Sequence, residues 1–207
     1  MRLRARDRGP SNVTEACVEL ATRNAGKARE VATILAELAL RIEPLATSVA
    51  LPDEGDGSEA NAVAKALAAA RATGCVALGD DSGLDVDALG GAPGPLSARY
   101  GGPGLDDAAR TAALLEALVA VPDDERSARF VCVAALATPQ GDVATARGVC
   151  EGRLLRAPRG SGGFGYDPIF AVGAATLAEL PAAAKDALSH RGRAFRALIP
   201  ALRTHIR

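Results

Sequence analysis

The stretch from Ala128 to Leu154 is the part of the sequence that most constrains the fold. ARFVCVAALAT (128–138) is apolar at both alternating positions, which is typical of a strand covered on both faces of a sheet. The turn residues PQGD (139–142) follow, and VATARGVCEGRL (143–154) then offers a second strand. This order predicts an antiparallel hairpin in the middle of a sheet.

The first half of the chain alternates between strand and helix patterns. CVELAT (17–22) predicts a first strand, and apolar residues at helical spacing predict a helix from Lys27 to Leu38. The Ala-rich segment 62–72 predicts a second helix, and residues 76–78 predict a short strand. Strands that alternate with helices and then lead into a hairpin indicate an α/β fold with a mixed sheet flanked by helices.

Polar residues at helix-start positions mark further boundaries. Asn61 is expected to cap the Ala-rich helix, and Asp106 is expected to cap a helix that runs to Leu118. The C-terminal helical pattern is interrupted near Ser189, which can cap the helix that follows it, and again at Pro200.

Length and composition limit the classes of protein to consider. With 207 residues, 48% of them apolar, the chain predicts one domain at 16–207 after a disordered basic extension at 1–15. Lys and Arg total 24 against 25 Asp and Glu, which argues against nucleic acid as a partner. No apolar run approaches the roughly 18 residues of a membrane span, so we expect no membrane partner. Four cysteines without a CxxC pair indicate buried free thiols in a reducing compartment, which predicts a cytoplasmic location.

The segment GDDSGLDVDALGG (79–91) places four carboxylates within eight residues, directly after an apolar stretch. Adjacent carboxylates repel, and ionised ones are costly to bury unless a cation lies between them. Oxygen donors without a nearby thiolate or imidazole favour a hard cation such as Mg²⁺. Asp53 or Glu54, in the acidic loop LPDEGDGSEA (51–60), could supply another ligand. The alternative interpretation is a solvated acidic turn.

The strand–turn–helix segment ATRNAGKAREV (21–31) suits a polyphosphate. Amides at a helix N-terminus attract anions, and Lys27 adds a positive charge, although the spacing is not that of a Walker A loop. The alternative is an ordinary turn with a surface lysine. Other cations that could balance a bound triphosphate are Lys65, Arg99, Lys185 and Arg191.

The glycine-rich segment GSGGFG (160–165) matches a dinucleotide-binding pattern, but no helix can begin cleanly in the YDP that follows. We therefore reject dinucleotide binding and expect the glycines to allow close approach of the backbone to a ligand. Phe164 and Tyr166 are two of six aromatic residues in the chain, and a ring on a loop can stack on a base. The alternative is that one or both rings anchor the loop on the core.

KDALSHR (185–191) places His190 and Arg191 in the first turn of a helix, where Arg offers paired donors for a carbonyl or phosphate. The chain has only two histidines and no HExxH, so a His-rich zinc site is not supported. It also has no GxSxG and no cysteine close to a histidine, which leaves little support for a serine or cysteine hydrolase. Together these residues indicate a Mg²⁺-dependent enzyme that acts on a nucleotide.

Five segments resemble the inosine triphosphate pyrophosphatase family (Ham1-like, non-canonical purine NTP pyrophosphatases). They are LATRNAGKAREV, NAVAKALAAARATG, GDDSGLDVDALGGAPGPLSARY, SGGFGYDPIF and ELPAAAKDALSHRGRA, and the resemblance spans Leu20 to Ala201. It implies an enzyme that hydrolyses ITP, dITP and XTP to the monophosphate and pyrophosphate, with Mg²⁺ and as a homodimer. It also implies an elongated mixed sheet with the active site in a cleft between two lobes.

The resemblance further implies roles for individual residues. Asp81 matches the catalytic base and a metal ligand, with Ser82 beside it, and Asp53 or Glu54 matches a second metal ligand. Residues implied to line the triphosphate are Thr22, Arg23, Asn24, Ala25, Gly26 and Lys27, and Lys65 joins them as a substrate-binding cation. Residues implied to bind the base are Phe164, Gly165, Tyr166, Asp167, Lys185, His190 and Arg191.

The acidic loop departs from the family pattern E-x-G-x-(T/S)-F-x-(E/A)-N. Ungapped alignment puts Asp53 where the family has a metal-binding Glu, whereas a one-residue shift restores Glu54. Gly79 also replaces the usual Ala before the Asp pair. Two alternatives therefore stay open: a nucleotide pyrophosphatase of different base preference, and a nucleotide-binding protein that has lost catalysis.

Overall fold

The computed structural model describes residues 17–55 and 57–206, and the extension predicted at 1–15 lies outside them. Within the described residues the strands are β1 (Cys17–Leu20), β2 (Arg41–Pro44), β3 (Val76–Val86), β4 (Pro93–Gly94), β5 (Ser127–Ala137), β6 (Val143–Leu154), β7 (Phe170–Val172) and β8 (Ala175–Thr176). They form one sheet in the order β2-β1-β3-β5-β6-β7-β8, with β4 paired to β3. The first three strands in this order are parallel and the remaining pairs are antiparallel, which confirms the mixed α/β fold. The division into two lobes stays a prediction.

The hairpin predicted from the central apolar run is confirmed. β5 and β6 pair from Ser127 opposite Arg153 to Ala137 opposite Val143. In the connecting turn the Thr138 hydroxyl accepts from the amide of Asp142 and donates to its carboxylate, both at 3.1 Å. Most side chains of β5 are buried on both faces of the sheet, because helices pack against each face at this strand.

The helices are α1 (Ala25–Ile34), α2 (Ser58–Thr73), α3 (Asp107–Ala117), α4 (Ala182–Leu188) and α5 (His190–His205). α1 and α5 bury one face of the sheet in a cluster that includes Val18, Leu78 and Phe195. α2 buries the opposite face through its alanines, which pack against Ala77 and Ala135. A third cluster, around α3 and the distal ends of β3, β5 and β6, completes the core.

Missing side chains allow two of these helices to approach the sheet closely. A Cβ at Gly79 would lie 2.5 Å from the Ala62 carbonyl oxygen in α2. A Cβ at Gly148 would lie 2.1 Å from the His190 carbonyl oxygen in α5. Both glycines therefore set close helix–sheet distances, between α2 and β3 at Gly79 and between α5 and β6 at Gly148.

Several predicted boundaries are confirmed and others are wrong. Asp106 caps α3 through the amide of Ala109, and Ser189 caps α5 through the amide of Gly192. The first helix ends at Ile34 rather than Leu38, and a short 3₁₀ turn follows. Pro200 does not interrupt α5, which continues through it to His205.

Two errors concern the neighbourhood of the acidic motif. The strand predicted at 76–78 continues to Val86, so the paired aspartates lie inside β3 and not in a turn after it. Asn61 does not cap α2, since Gly57 occupies that position and Asn61 lies buried within the first turn of the helix. The paired aspartates and Asn61 contact residues that are distant in the sequence, and a local pattern does not reveal such partners.

The cysteines are free, as predicted, but only Cys132 and Cys150 are buried, whereas Cys17 and Cys75 are partly exposed. In the described part of the chain, no helix has the length and apolar character that crossing a membrane requires.

Candidate active site

A cavity of about 390 Å³ opens beside the middle of β3. It is bounded by the N-terminus of α1, the acidic loop, the start of α3 and the loop that precedes β7. The predicted site residues that line it are Asn24, Lys27, Glu54, Asp81, Ser82, Phe164, Gly165, Tyr166, Asp167, Lys185, His190 and Arg191. Segments separated by more than 160 positions in the chain therefore contribute to one cavity.

The remaining predicted residues do not line this cavity. Thr22 is buried and its hydroxyl accepts from the amide of Asn24 at 3.1 Å, so it shapes the turn before α1. Arg23 donates to the carbonyls of Ala46 and Val49, at 3.2 and 2.5 Å, and holds a neighbouring loop.

The other predicted residues outside the cavity have distinct environments. Ala25 begins α1, and Gly26 lies against the Phe164 ring, where a Cβ would come within 2.6 Å of it. Lys65 is buried behind the acidic residues. Asp53 is exposed, whereas its neighbour Glu54 lines the cavity.

The two adjacent aspartates point to opposite faces of the sheet. Asp80 lies opposite Ala134, on the face that α1 and α5 cover, and Asp81 lies opposite Val133, on the face that α2 covers. Alternation along a strand thus separates two carboxylates that are neighbours in sequence. Each one has its own set of cations, which is why both can be buried.

Asp80 is held by two cations on the α1–α5 face. Its Oδ2 lies 3.0 Å from Lys27 Nζ and 3.4 Å from Arg191 Nε, and it accepts from the Ser82 hydroxyl at 2.9 Å. Burial opposes ionisation of this carboxyl, but the charges of Lys27 and Arg191 outweigh it and lower its pKa. Asp80 is therefore a permanently charged partner that fixes these two side chains.

Asp81 and Glu54 converge on a buried lysine on the α2 face. Lys65 Nζ lies 2.7 Å from Glu54 Oε1 and 3.7 Å from Asp81 Oδ1, and Arg99 NH2 lies 3.1 Å from Glu54 Oε2. Although partial burial opposes its charge, the hydrogen bond from Lys65 lowers the pKa of Glu54. Two carboxylates within reach of one cationic centre are hard oxygen donors, and this donor set fits Mg²⁺.

A separate group of potential metal ligands lies elsewhere in the described residues. Cys17, Glu19 and Glu43, on β1 and β2, have ligand atoms within 4.8 Å of one another. This group contains neither Asp81 nor Glu54 and does not line the cavity. It lends no support to the predicted metal site.

Lys185 and Arg191 share a carboxylate that the sequence did not single out. Glu30 accepts from Lys185 Nζ through Oε1 and from Arg191 NH1 through Oε2, each at 2.5 Å. Lys185 also donates to Asp167 Oδ2 at 2.5 Å. Burial opposes the lysine's charge, but Asp167 and Glu30 outweigh it and raise the pKa of Lys185. In the sequence, the only indication that Glu30 belongs to this site is its position one helical turn after Lys27.

The ring of Phe164 covers both of these cations. Lys185 Nζ lies 5.0 Å from the ring centroid and the Arg191 guanidinium carbon 5.6 Å from it. The backbone of this loop is held in place, since Phe164 N donates to Asp167 Oδ2 and Gly165 N to Asp107 Oδ2, both at 2.8 Å. The main chain that carries the Phe164 ring at the cavity is therefore held by these two hydrogen bonds.

Tyr166 has a different environment from Phe164. Its ring belongs to the core cluster around α3, and its hydroxyl donates to the Ser97 carbonyl at 2.9 Å. Tyr166 thus anchors the loop, as the alternative interpretation of the loop aromatics proposed, while also forming part of the cavity wall.

His190 is a neutral, buried member of the cavity wall. It stacks on Phe130 with ring centroids 4.7 Å apart, and its Nδ1 has no hydrogen-bond partner within the described residues. Burial, followed by the charges of Arg191 and Lys185, lowers the pKa of His190 well below 6.5. The neutral imidazole therefore carries one donor and one acceptor nitrogen.

Comparison with known proteins identifies the family. The family model described as the Ham1 family matches residues 18–201 of this chain. The chain belongs to the Ham1 family. Among relatives of this Ham1 protein, the dITP/XTP pyrophosphatase of Geobacter sulfurreducens is 50% identical over 181 residues, which cover 85% of this chain and 91% of that one. The dITP/XTP pyrophosphatase of Nocardia farcinica is 48% identical over 198 residues, covering 92% and 96%.

Solved Ham1 structures share the fold. A HAM1 protein from Coxiella burnetii is 42% identical, superposes with a TM-score of 0.78, and is matched over 91% of this chain and 99% of that chain. The Ham1 protein of Staphylococcus aureus, 33% identical, gives the same TM-score over 91% and 98%. The likeness to each of these structures thus extends over about nine-tenths of this chain.

Proposed function

We propose that this chain is a Mg²⁺-dependent pyrophosphatase that hydrolyses ITP, dITP and XTP to the monophosphate and pyrophosphate. The observation that carries the proposal is the arrangement of one cavity. Carboxylates and lysines suited to a triphosphate lie on its β3 side, and an aromatic ring lies over a buried Lys–Arg pair on its α5 side. The names of the relatives support the substrate class.

Asp81, rather than Asp80, is the proposed catalytic base. Asp80 does not line the cavity and is held by Lys27 and Arg191, so its low basicity suits a structural counterion. Asp81 lines the cavity and is positioned to accept a proton from a water molecule. That water forms the new bond to the α-phosphorus while the bond to the bridging oxygen of the β-phosphate breaks and pyrophosphate leaves.

Cations of the chain stabilise the charge that develops in this reaction. Lys27 and the first amides of α1 bind the phosphate oxygens, and Lys65 stabilises the carboxylates beside them. Glu54 and Asp81 would hold Mg²⁺, which supplies charge neutralisation at the phosphates when bound. The position of Glu54 in the cavity wall supports the one-residue shift in the acidic loop, and with it a catalytic protein rather than one that has lost catalysis.

Base selectivity is proposed to depend on donors that lie beneath Phe164. Lys185 and Arg191, which are paired with Glu30, can also donate to the 6-keto oxygen of a purine at the ring, whereas a 6-amino group would present its own hydrogens to these donors. Asp167 Oδ2 already accepts two hydrogen bonds, from Lys185 and from Phe164 N, so it offers little to an exocyclic amino group. A base with a keto oxygen and no amino group is the best match.

The test is pyrophosphate release from ITP, dITP and XTP compared with ATP, GTP and dUTP, with and without Mg²⁺. We expect turnover of the first three only, and only with Mg²⁺. Asp81→Asn should abolish turnover while circular dichroism and melting temperature stay close to the wild type, because the substitution preserves shape. Preference for dUTP would instead identify a pyrophosphatase of different base preference, and near-normal turnover by Asp81→Asn would refute its role.

We also propose that the protein is one catalytic domain from residue 16 to 207, acts as a homodimer and is located in the cytoplasm. Free thiols at all four cysteines support a reducing compartment. The dimer rests on the family resemblance alone. Light scattering coupled to size-exclusion chromatography measures it directly.

A further inference from the structure

The side chain of Asn61 joins the two carboxylates that face Lys65. It is buried, with 6% of its surface exposed, in the first turn of α2. Its Nδ2 donates to the Gly55 carbonyl at 2.8 Å and to Asp81 Oδ2 at 3.2 Å, and its Oδ1 accepts from the Gly55 amide at 2.8 Å. One amide group thus contacts the strand that carries Asp81 and the loop that carries Glu54.

The acidic loop depends on this side chain for its position. Among the residues described by the structure, the main chain of 51–55 makes hydrogen bonds only at Gly55, and both go to Asn61. Glu54 directly precedes Gly55, so the two bonds fix the backbone from which its carboxylate projects. Without them, the link between Glu54 and the rest of the protein would consist of side-chain ion pairs to Lys65 and Arg99.

Asparagine is suited to this task by its chemistry. Its side-chain amide presents an acceptor and two donors in one plane, so it can pair with both main-chain groups of Gly55 and still donate to a carboxylate. Lys65 lies one helical turn further along the same face of α2. α2 therefore carries Lys65, which places a positive charge beside Glu54 and Asp81, and Asn61, which links the segments that carry these two carboxylates.

We propose that Asn61 is a positioning residue that holds Glu54 and Asp81 at the separation needed to bind Mg²⁺ together. This inference rests on the proposed function. A ligand pair that is held in place before the metal arrives binds it more tightly, and loss of such a supporting contact typically weakens metal binding about 10- to 100-fold.

The experiment measures metal binding in the absence of nucleotide. Isothermal titration calorimetry with Mn²⁺ is carried out on the wild type and Asn61→Ala, and the Mg²⁺ concentration that half-saturates ITP hydrolysis is determined for both. We expect Asn61→Ala to bind Mn²⁺ about tenfold or more weakly and to need correspondingly more Mg²⁺. Its kcat at saturating Mg²⁺ should recover most of the wild-type value, because Asn61 does not touch the reacting atoms.

Two further variants separate positioning from general stability. Asn61→Ser keeps a residue tolerated in a first helical turn but cannot span Gly55 and Asp81, so it should weaken Mn²⁺ binding even if Asn61→Ala fails to fold. Thr138→Ala is the matched control, since it removes a buried polar group that fastens the β5–β6 turn far from the cavity. It should leave the affinity for Mn²⁺ unchanged.

The outcomes are distinguishable. A wild type that neither binds Mn²⁺ nor hydrolyses ITP with Mg²⁺ contradicts the proposed function itself. A wild type that does both, alongside Asn61 variants whose Mn²⁺ affinity and half-saturating Mg²⁺ stay within twofold, overturns the role of Asn61. Activity lowered by the same factor at every Mg²⁺ concentration would indicate a purely structural residue and would also overturn it.

Discussion

Replacing Gly79 with Ala perturbs the distance between α2 and the central strand. A Cβ there would lie 2.5 Å from the Ala62 carbonyl oxygen and 2.9 Å from the Ala66 amide nitrogen. Real Cβ atoms essentially never come within 3.0 Å of another heavy atom, so the helix or strand has to move by about 0.5 Å, the difference between 3.0 and 2.5 Å. Both contacts are backbone atoms inside a helix, which cannot yield by a side-chain rotation.

Overpacking of this kind costs about 1–3 kcal/mol of unfolding free energy. For a chain of about 200 residues each kcal/mol lowers the melting temperature by about 2–4 °C, so we expect a decrease of about 2–12 °C. The displacement should also move Asn61 and Lys65, which directly precede the two contacted residues, Ala62 and Ala66, on α2. The half-saturating Mg²⁺ concentration should therefore rise together with the loss of stability.

Differential scanning calorimetry and a Mg²⁺ titration of ITP hydrolysis measure the two effects. Gly57→Ala is the control, because its Cβ would meet only the Ala60 Cβ at an ordinary 3.8 Å. It should change the unfolding free energy by no more than about 1 kcal/mol, the usual range at a helix cap. A Gly79→Ala protein as stable as the wild type, with the same Mg²⁺ requirement, would refute the argument that a bare backbone is needed here.

Three further predictions concern the α5 side of the cavity. Glu30→Gln preserves shape but removes the negative charge that Lys185 and Arg191 share. Urea unfolding should show that the free energy of unfolding falls by about 3 kcal/mol, the low end for a broken buried ion pair because other carboxylates remain beside the two cations. An unchanged urea midpoint would contradict the role of Glu30 as a shared counterion. Phe164→Ala should raise KM for ITP about 5- to 150-fold with a smaller change in kcat, since base stacking is worth about 1–3 kcal/mol; Phe164→Tyr should keep the wild-type KM, and an Ala variant that does so would exclude stacking. Burial, followed by the charges of Arg191 and Lys185, lowers the pKa of His190 well below 6.5. As the pH falls through about 6.5, this histidine therefore becomes protonated in the unfolded chain but stays neutral in the folded protein. Stability should therefore decline from pH 7 to pH 5, and His190→Gln should flatten that slope in unfolding experiments; an identical slope in the variant would assign it to other groups.

Features that depend on neighbouring residues could be predicted from the sequence. The β5–β6 hairpin follows from two apolar runs around a turn, and the caps at Asp106 and Ser189 follow from polar side chains that reach amides three positions ahead. The cavity residues were predicted through motifs whose order matches the family, and the structure brings twelve of them together.

Features that depend on distant partners could not be predicted in this way. Aspartate is unfavourable in strands, so the local pattern ends the predicted strand at Leu78, although Lys27 and Arg191 compensate Asp80 from 53 and 111 positions away. Asn61 precedes an Ala-rich helix and has the local appearance of a cap, but its partners are Gly55 and Asp81. In both cases a tertiary hydrogen bond or ion pair outweighed the local preference.

The opposed directions of Asp80 and Asp81 make the chemistry depend on the register of β3. A slip of one residue against β5 would turn every side chain of the strand to the other face of the sheet, so the proposed base would face α1 and α5 and the charged counterion would face α2. Insertions and deletions within 76–83 should therefore abolish turnover even where the sheet tolerates them. Catalytic activity in this protein thus reports on strand alignment, and it could serve as a sensitive selection for correctly paired variants of the sheet.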